Sequence, residues 1–183
     1  MIVLLLADGF EEIEALTPLD MLRRAGVNVT SVSISDELAV TGAHGITVIA
    51  DLTKDSLDLS CIDFVIFPGG MPGAKNLDES EFTDKIISEV LKNGGRLAAI
   101  CAAPMIFGHR GLLKGKTACC YPGFEKELIG ANISYDPCIT DGNITTARGM
   151  GAALDFAEEL ITLVKGADVC EKISSAIIRG DKK

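Results

Sequence analysis

A chain of 183 residues with 48% hydrophobic content can bury one full core, and a net charge of −9, from 26 acidic and 17 basic side chains, argues against a nucleic-acid-binding surface. The six cysteines (Cys61, Cys101, Cys119, Cys120, Cys138 and Cys170) form no CxxC pair and no zinc-like grouping with His44 or His109, so no metal or other cofactor is expected. No stretch approaches the roughly 20 apolar residues of a membrane span, and Ile2 to Ala7 lacks the basic lead and cleavage pattern of a signal, so the expectation is a cytoplasmic protein with reduced thiols and no membrane partner.

Ile2 to Ala7 reads as a buried strand, and Gly9 turns the chain into an acidic helix start at Glu11-Glu12-Ile13-Glu14. Pro18 is expected to interrupt or kink this helix, although Leu19, Leu22 and Ala25 continue its apolar stripe as far as a stop at Gly26. Val27 to Ser35 alternates as a strand. The segments at Leu38 and Ile46 flank a turn-like Gly42-Ala-His44-Gly45 and predict a small hairpin or a pair of edge strands, with His44 exposed in the turn. Ile62 to Phe67 is a second buried strand opening into the loop Pro68-Gly69-Gly70-Met71-Pro72-Gly73, and Ser80 to Leu91 has helical spacing closed by Gly94 and Gly95.

Arg96-Leu-Ala-Ala-Ile-Cys101-Ala-Ala-Pro-Met105 carries the chemistry. An apolar strand runs directly into a cysteine, and the small Ala102 and Ala103 followed by Pro104 suit the tight reversal of a nucleophile elbow and the first turn of a helix reaching Leu113. A thiol at the positive end of that helix is expected to ionise readily, making Cys101 the candidate nucleophile. Lys116 to Tyr121 then reads as a strand, Pro122 to Ile129 as a short acidic helix, and Asn132 to Tyr135 and Ile139 to Ala147 as strands turning at Asp141-Gly142. Gly151 to Val164 is a long amphipathic helix, Val169 to Ile178 a closing one, and Gly180 to Lys183 a frayed tail. Alternating strands and helices predict an α/β fold of the flavodoxin-like, doubly wound type, with a mostly parallel sheet between helices. Ligands of such sheets bind beyond the carboxyl ends of the strands.

Asp8-Gly-Phe-Glu-Glu-Ile-Glu14, Arg23-Arg-Ala-Gly26, Phe67-Pro-Gly-Gly70, Ala98-Ala-Ile-Cys-Ala-Ala-Pro104 and Thr146-Ala-Arg-Gly-Met-Gly151 together resemble the ThiJ/PfpI superfamily, in its branch around the parkinsonism-associated protein. The resemblance runs from residue 2 to about residue 178 and implies one class I glutamine amidotransferase-like domain over residues 1–183. It also implies that Glu14 hydrogen-bonds to a reactive Cys101, that the amides of Gly70 and Ala102 form an oxyanion pocket, and that the protein is a homodimer with Arg23 and Arg24 near the interface. A carboxyl enclosed beside a thiolate should stay protonated and donate to sulfur. Glu11 and Glu12 read instead as ordinary helix-start acids.

Many members of that superfamily have histidine before the proline matching Pro122, where this chain has Tyr121. His109 stands eight residues along the helix from Cys101, roughly 12 Å of rise, and reads as a solvated helix residue. Without a Cys-His pair, peptidase chemistry lacks its base, and no P-loop supports a nucleotide-dependent role. The resemblance implies a glutathione-independent glyoxalase or protein deglycase acting on 2-oxoaldehydes and glycated protein adducts under oxidative or carbonyl stress. The alternative is a redox sensor or chaperone whose Cys101 is oxidised to sulfinate without turnover.

Overall fold

In the computed structural model, which describes residues 1–179, Val3 and Leu5 lie in one hydrophobic core, and Ile2, Leu4 and Leu6 lie in another. Successive strand side chains point to opposite faces, so a strand covered on both sides is apolar at every position, as Ile2–Leu6 is. The elements in chain order are β1 (Ile2–Leu6), α1 (Glu12–Arg24), β2 (Val29–Ser33), β3 (Ala39–Thr41), β4 (Thr47–Ile49), β5 (Leu52–Thr53), β6 (Phe64–Phe67), α2 (Gly73–Asp78), α3 (Glu81–Lys92), β7 (Arg96–Ile100), α4 (Pro104–His109), β8 (Thr117–Ala118), β9 (Asn132–Ile133), β10 (Cys138–Asp141), β11 (Ile144–Ala147), α5 (Ala153–Lys165) and α6 (Ala167–Ala176). The tail expected at Gly180 to Lys183 lies outside the described residues.

Seven strands form one sheet in the order β10-β11-β7-β6-β1-β2-β5, parallel throughout except for the antiparallel β10–β11 hairpin. This is the predicted flavodoxin-like arrangement. β3 and β4 pair apart as the expected hairpin, and β8 and β9 form a short parallel pair. On one face, Leu22 of α1 and Phe156, Leu160 and Ile161 of α5 cover Leu4, Leu6, Ile66 and Ile100. On the other, Leu77, Ile86, Val90, Ile106 and Phe107 from α2, α3 and α4 cover Val3, Leu5, Val65 and Phe67, with the Phe67 and Phe107 rings edge to face at 5.5 Å. The chain reverses its direction across the sheet between β1 and β6, which opens a crevice at their carboxyl ends. Among the described residues, no helix is long and apolar enough to cross a membrane.

Several elements differ from expectation. α1 runs through Pro18, which is buried against the core, so packing of Ala15, Leu19 and Leu22 holds the helix together despite the lost N–H. α4 stops at His109 rather than Leu113, because Gly111 takes a left-handed conformation (φ +67°). The acidic segment after Pro122 forms only a 3₁₀ turn at Glu125–Glu127. α2 and the two-residue β5 were not anticipated. Arg23 and Arg24 are engaged within the chain, Arg23 with the Val29 carbonyl and Asp51, and Arg24 with Asp20.

Candidate functional site

Glu14, Gly69-Gly70 and Cys101 follow β1, β6 and β7, three adjacent strands, and the crevice brings them together. Cys101 sits at the reversal between β7 and α4 with φ +66°, one of two non-glycine residues of positive φ among the described residues. Its amide donates to the Ala147 carbonyl at 2.9 Å, and its carbonyl accepts from Tyr121 N–H at 2.8 Å, so both neighbouring segments hold the bend. The side chain is partly buried, and the amides of Gly70 and Ala102 lie near enough to its sulfur to favour its ionised form.

The Glu14 side chain is 1% exposed and hydrogen-bonds with the Cys101 thiol, while one carboxyl oxygen accepts from Gly69 N–H at 3.1 Å. Gly69 is indispensable to this contact. A Cβ there would collide with Glu14 Oε2 and approach the Cys101 Cβ to 2.6 Å.

Burial pushes the Glu14 carboxyl up to about 7, reinforced by the nearby charge of Glu11 and opposed by the hydrogen bonds from Cys101 and the amides of Gly69 and Met150. Burial, followed by the charge and hydrogen bond of Glu14, pushes the Cys101 thiol up to about 12. The helix start itself gives this thiol little help toward ionisation. α4 has six residues and begins three positions beyond the cysteine, so its dipole is weak here, while burial and an adjacent carboxylate both oppose a second negative charge. Between them, Glu14 and Cys101 release one proton near neutral pH and resist losing the other. When Glu14 carries the remaining proton it donates to sulfur, and the single charge rests on the thiolate facing Gly70 and Ala102.

This raised carboxyl has a consequence for stability. Because the folded-state value of Glu14 lies above the ordinary carboxyl value of 4.5, its protonation stabilises the fold fully below about 4.5, and that contribution is lost as pH rises through about 7. The linked loss is on the order of 3 kcal/mol. Urea unfolding of the native protein and Glu14→Gln at pH 5 and pH 8 is expected to show the native protein losing more stability than the variant. Equal losses would contradict a raised Glu14.

Other candidates fall outside the pair. Glu12 is not a solvated helix-start acid: it is 3% exposed, and one carboxylate oxygen accepts from the amides of His44 (2.8 Å) and Ile46 (3.4 Å) while the other meets His44 Nδ1 at 2.9 Å. Burial would raise its carboxyl, but these hydrogen bonds hold it at about 2. Glu11, Glu12 and His44 are the one group of ligand-type side chains converging within 4.8 Å among the described residues, and the donors already on Glu12 make the trio a clasp between α1 and the β3–β4 hairpin. The expected exposure of the His44 side chain is observed, at 69%. His109 is held between Asp78 (2.7 Å) and Glu127 (2.9 Å), both raising its pKa, and is a bridge rather than a free solvated residue. Cys119 and Cys120 are buried.

Tyr121 is half exposed and lines a cavity of about 440 Å³ with Pro122, Pro137, Arg148, Met150 and Asp155. Arg148 carries no motif that marks it as a site residue on its own. The available signal was its place in Thr146-Ala-Arg-Gly, one residue beyond β11, beside the strand that ends at the cysteine.

A model of the DJ-1/PfpI family matches residues 1–163. DJ-1 homolog B of Arabidopsis thaliana is 34% identical over 174 residues, which are 94% of this chain and 40% of that protein, so the chain spans well under half of that relative. A protein of Pyrococcus abyssi named a deglycase is 31% identical over 169 residues, covering 90% of this chain and 99% of its own length. The solved structure of oxidized Toxoplasma gondii DJ-1 superposes with a TM-score of 0.93 at 30% identity, covering 98% of each chain.

Proposed function

Because the chain belongs to the DJ-1/PfpI family, we propose that it is a cysteine-dependent enzyme acting on 2-oxoaldehydes and their protein adducts without glutathione, a glyoxalase or protein deglycase. The observation that carries this reading is the convergence on one sulfur of the Glu14 carboxyl and the amides of Gly70 and Ala102. Cys101 attacks the aldehyde carbon of methylglyoxal, and the amides receive the oxygen on which charge develops. Glu14 removes the proton from that carbon and returns it to the neighbouring one, converting the hemithioacetal into a thioester. Water cleaves the thioester, releasing lactate and the thiol. A carboxyl that exchanges its proton near pH 7 suits both halves of this transfer. The test is lactate formation from methylglyoxal in the absence of glutathione. Deglycation applies the same attack to a carbonyl already joined to an amine or thiol.

The second partner in this proposal is another copy of the chain. Ile13 of α1 and Leu154 of α5 are exposed, and a groove where α1 meets Leu154 and the end of α6 is lined by Leu16, Thr17, Arg24 and Ile177. Exposed apolar side chains beside a groove favour a self-associating face. Sedimentation equilibrium is expected to give twice the mass of one chain, and Ile13→Glu to shift it toward one. A native protein sedimenting as a single chain would refute the homodimer.

A further inference from the structure

Arg148 leaves β11 beside the reacting centre. The register pairs Ala147 with Ile100, and the Ala147 carbonyl accepts the Cys101 amide, so the next residue on each strand is Arg148 and Cys101. Gly149 keeps the way open between them and Tyr121. A Cβ on Gly149 would stand 3.2 Å from the Tyr121 ring and 3.7 Å from Glu14 Oε1, which puts the Tyr121 wall of the cavity and the Glu14 carboxyl on either side of one side-chain-free position. The cavity lined by Tyr121 and Arg148 therefore borders the site of chemistry at Gly149, one glycine away from the Glu14 carboxyl.

Arg148 is chemically conspicuous in this acidic chain. Four of the six arginines, Arg23, Arg24, Arg110 and Arg179, pair with carboxylates, and Arg96 bonds to the Gly142 carbonyl at the opposite end of β7. Among the described residues, Arg148 pairs with no carboxylate. Its Nη1 donates to the Tyr135 carbonyl at 3.3 Å, and its guanidinium lies over the Tyr135 ring at 5.8 Å. The cation–π contact and one hydrogen bond hold the guanidinium and leave its other N–H donors for a ligand. The acidic member of the cavity, Asp155, is held by Arg179. A planar guanidinium with free paired donors, on a wall shared with an exposed aromatic ring, suits a carboxylate attached to an apolar stem.

We propose that Arg148 is a specificity-determining residue that binds a carboxylate on the part of the substrate remote from the reacting carbonyl. Resting on the function proposed above, this narrows the substrate class to 2-oxoaldehyde adducts of amino acids or short peptides with a free carboxylate. For a thiol adduct, the carbon–sulfur bond to the amino acid breaks, Cys101 takes its place on that carbon, and the released thiol leaves with the proton that Cys101 loses. No oxidant or reductant is needed.

The test reads Arg148 without turnover. Cys101 is alkylated with 3-maleimidopropionate and separately with the corresponding neutral amide, and the rate at Cys101 is followed by peptide mass spectrometry. The carboxylate is expected to react roughly tenfold faster than the amide in the native protein. The preference should disappear in Arg148→Met, survive in part in Arg148→Lys, which keeps the charge without the fork, and shrink in high salt. An acid-to-amide ratio that is the same in the native protein and Arg148→Met would overturn the assignment. Lactate formation from methylglyoxal, which has no carboxylate, reports separately on the proposed function, so either idea can fail alone.

Discussion

Cys101→Ser is expected to abolish lactate formation from methylglyoxal, by at least about 10³-fold in kcat/KM. The sulfur forms the bond that makes the thioester, and a serine hydroxyl in the same place is a far weaker acid and nucleophile than a thiol, which a carboxyl titrating near pH 7 does not activate. Glu14→Gln separates the two roles of the carboxyl. The amide can still donate a hydrogen bond to sulfur, but it cannot carry a proton between two carbons, so turnover should fall by about 10² to 10⁴ while Cys101 still alkylates. Loss in both variants, measured as lactate against time, is the outcome required by covalent catalysis with Glu14 as proton carrier. If the native protein itself makes no lactate, the glyoxalase reading is lost, and oxidation becomes the use of the same thiol. Mild peroxide should then place the first oxygens on Cys101 rather than on the buried Cys119 or Cys120.

Gly108→Ala is expected to cost roughly 3 kcal/mol of stability, a far larger effect than one methyl usually has. Gly108 lies inside α4, and a Cβ there would run into the Glu127 carbonyl oxygen and stand 2.8 Å from the Leu128 Cα. These are backbone atoms, so no rotamer change relieves the overlap, and either α4 or the Glu125–Glu127 turn must move. The fair comparison is Gly94→Ala, where nothing lies within 4 Å and the strain is only that of φ +70°, a cost of about 1 kcal/mol. Urea midpoints of the two variants should differ accordingly. Equal midpoints would mean that the α4 contact yields easily, and with it the support beneath the cysteine bend.

The central strands were legible in the sequence because burial on both faces writes itself as an unbroken apolar run, which β1, β6 and, from Leu97 onward, β7 show. The long helices were legible for the corresponding reason, one apolar stripe facing the sheet. Short elements were not. α2 begins in a loop rich in proline and glycine, and β5 has two residues, too few for any period to declare itself. Cys101 and Glu14 could be named from motifs, and the structure brings them together. The ionisation of Cys101 could not be read locally, since burial and the approach of Glu14 are set by residues from three separate strands. Glu12 was misread for the same reason: its partners, His44 and Ile46, lie more than thirty positions away in a hairpin whose docking no helix-start rule anticipates.

The bend at Cys101 sets stability against use at a single residue. With φ at +66°, the backbone there occupies a region that glycine enters freely and an ordinary side chain enters at a cost of about 1 to 2 kcal/mol. A chain tuned for robustness alone would put glycine at this corner, and a β-branched residue such as threonine would be penalised further. The choice of nucleophile is thereby restricted before any chemistry begins: the position accepts a short unbranched side chain, and the thiol is kept there against the conformational preference of its own backbone.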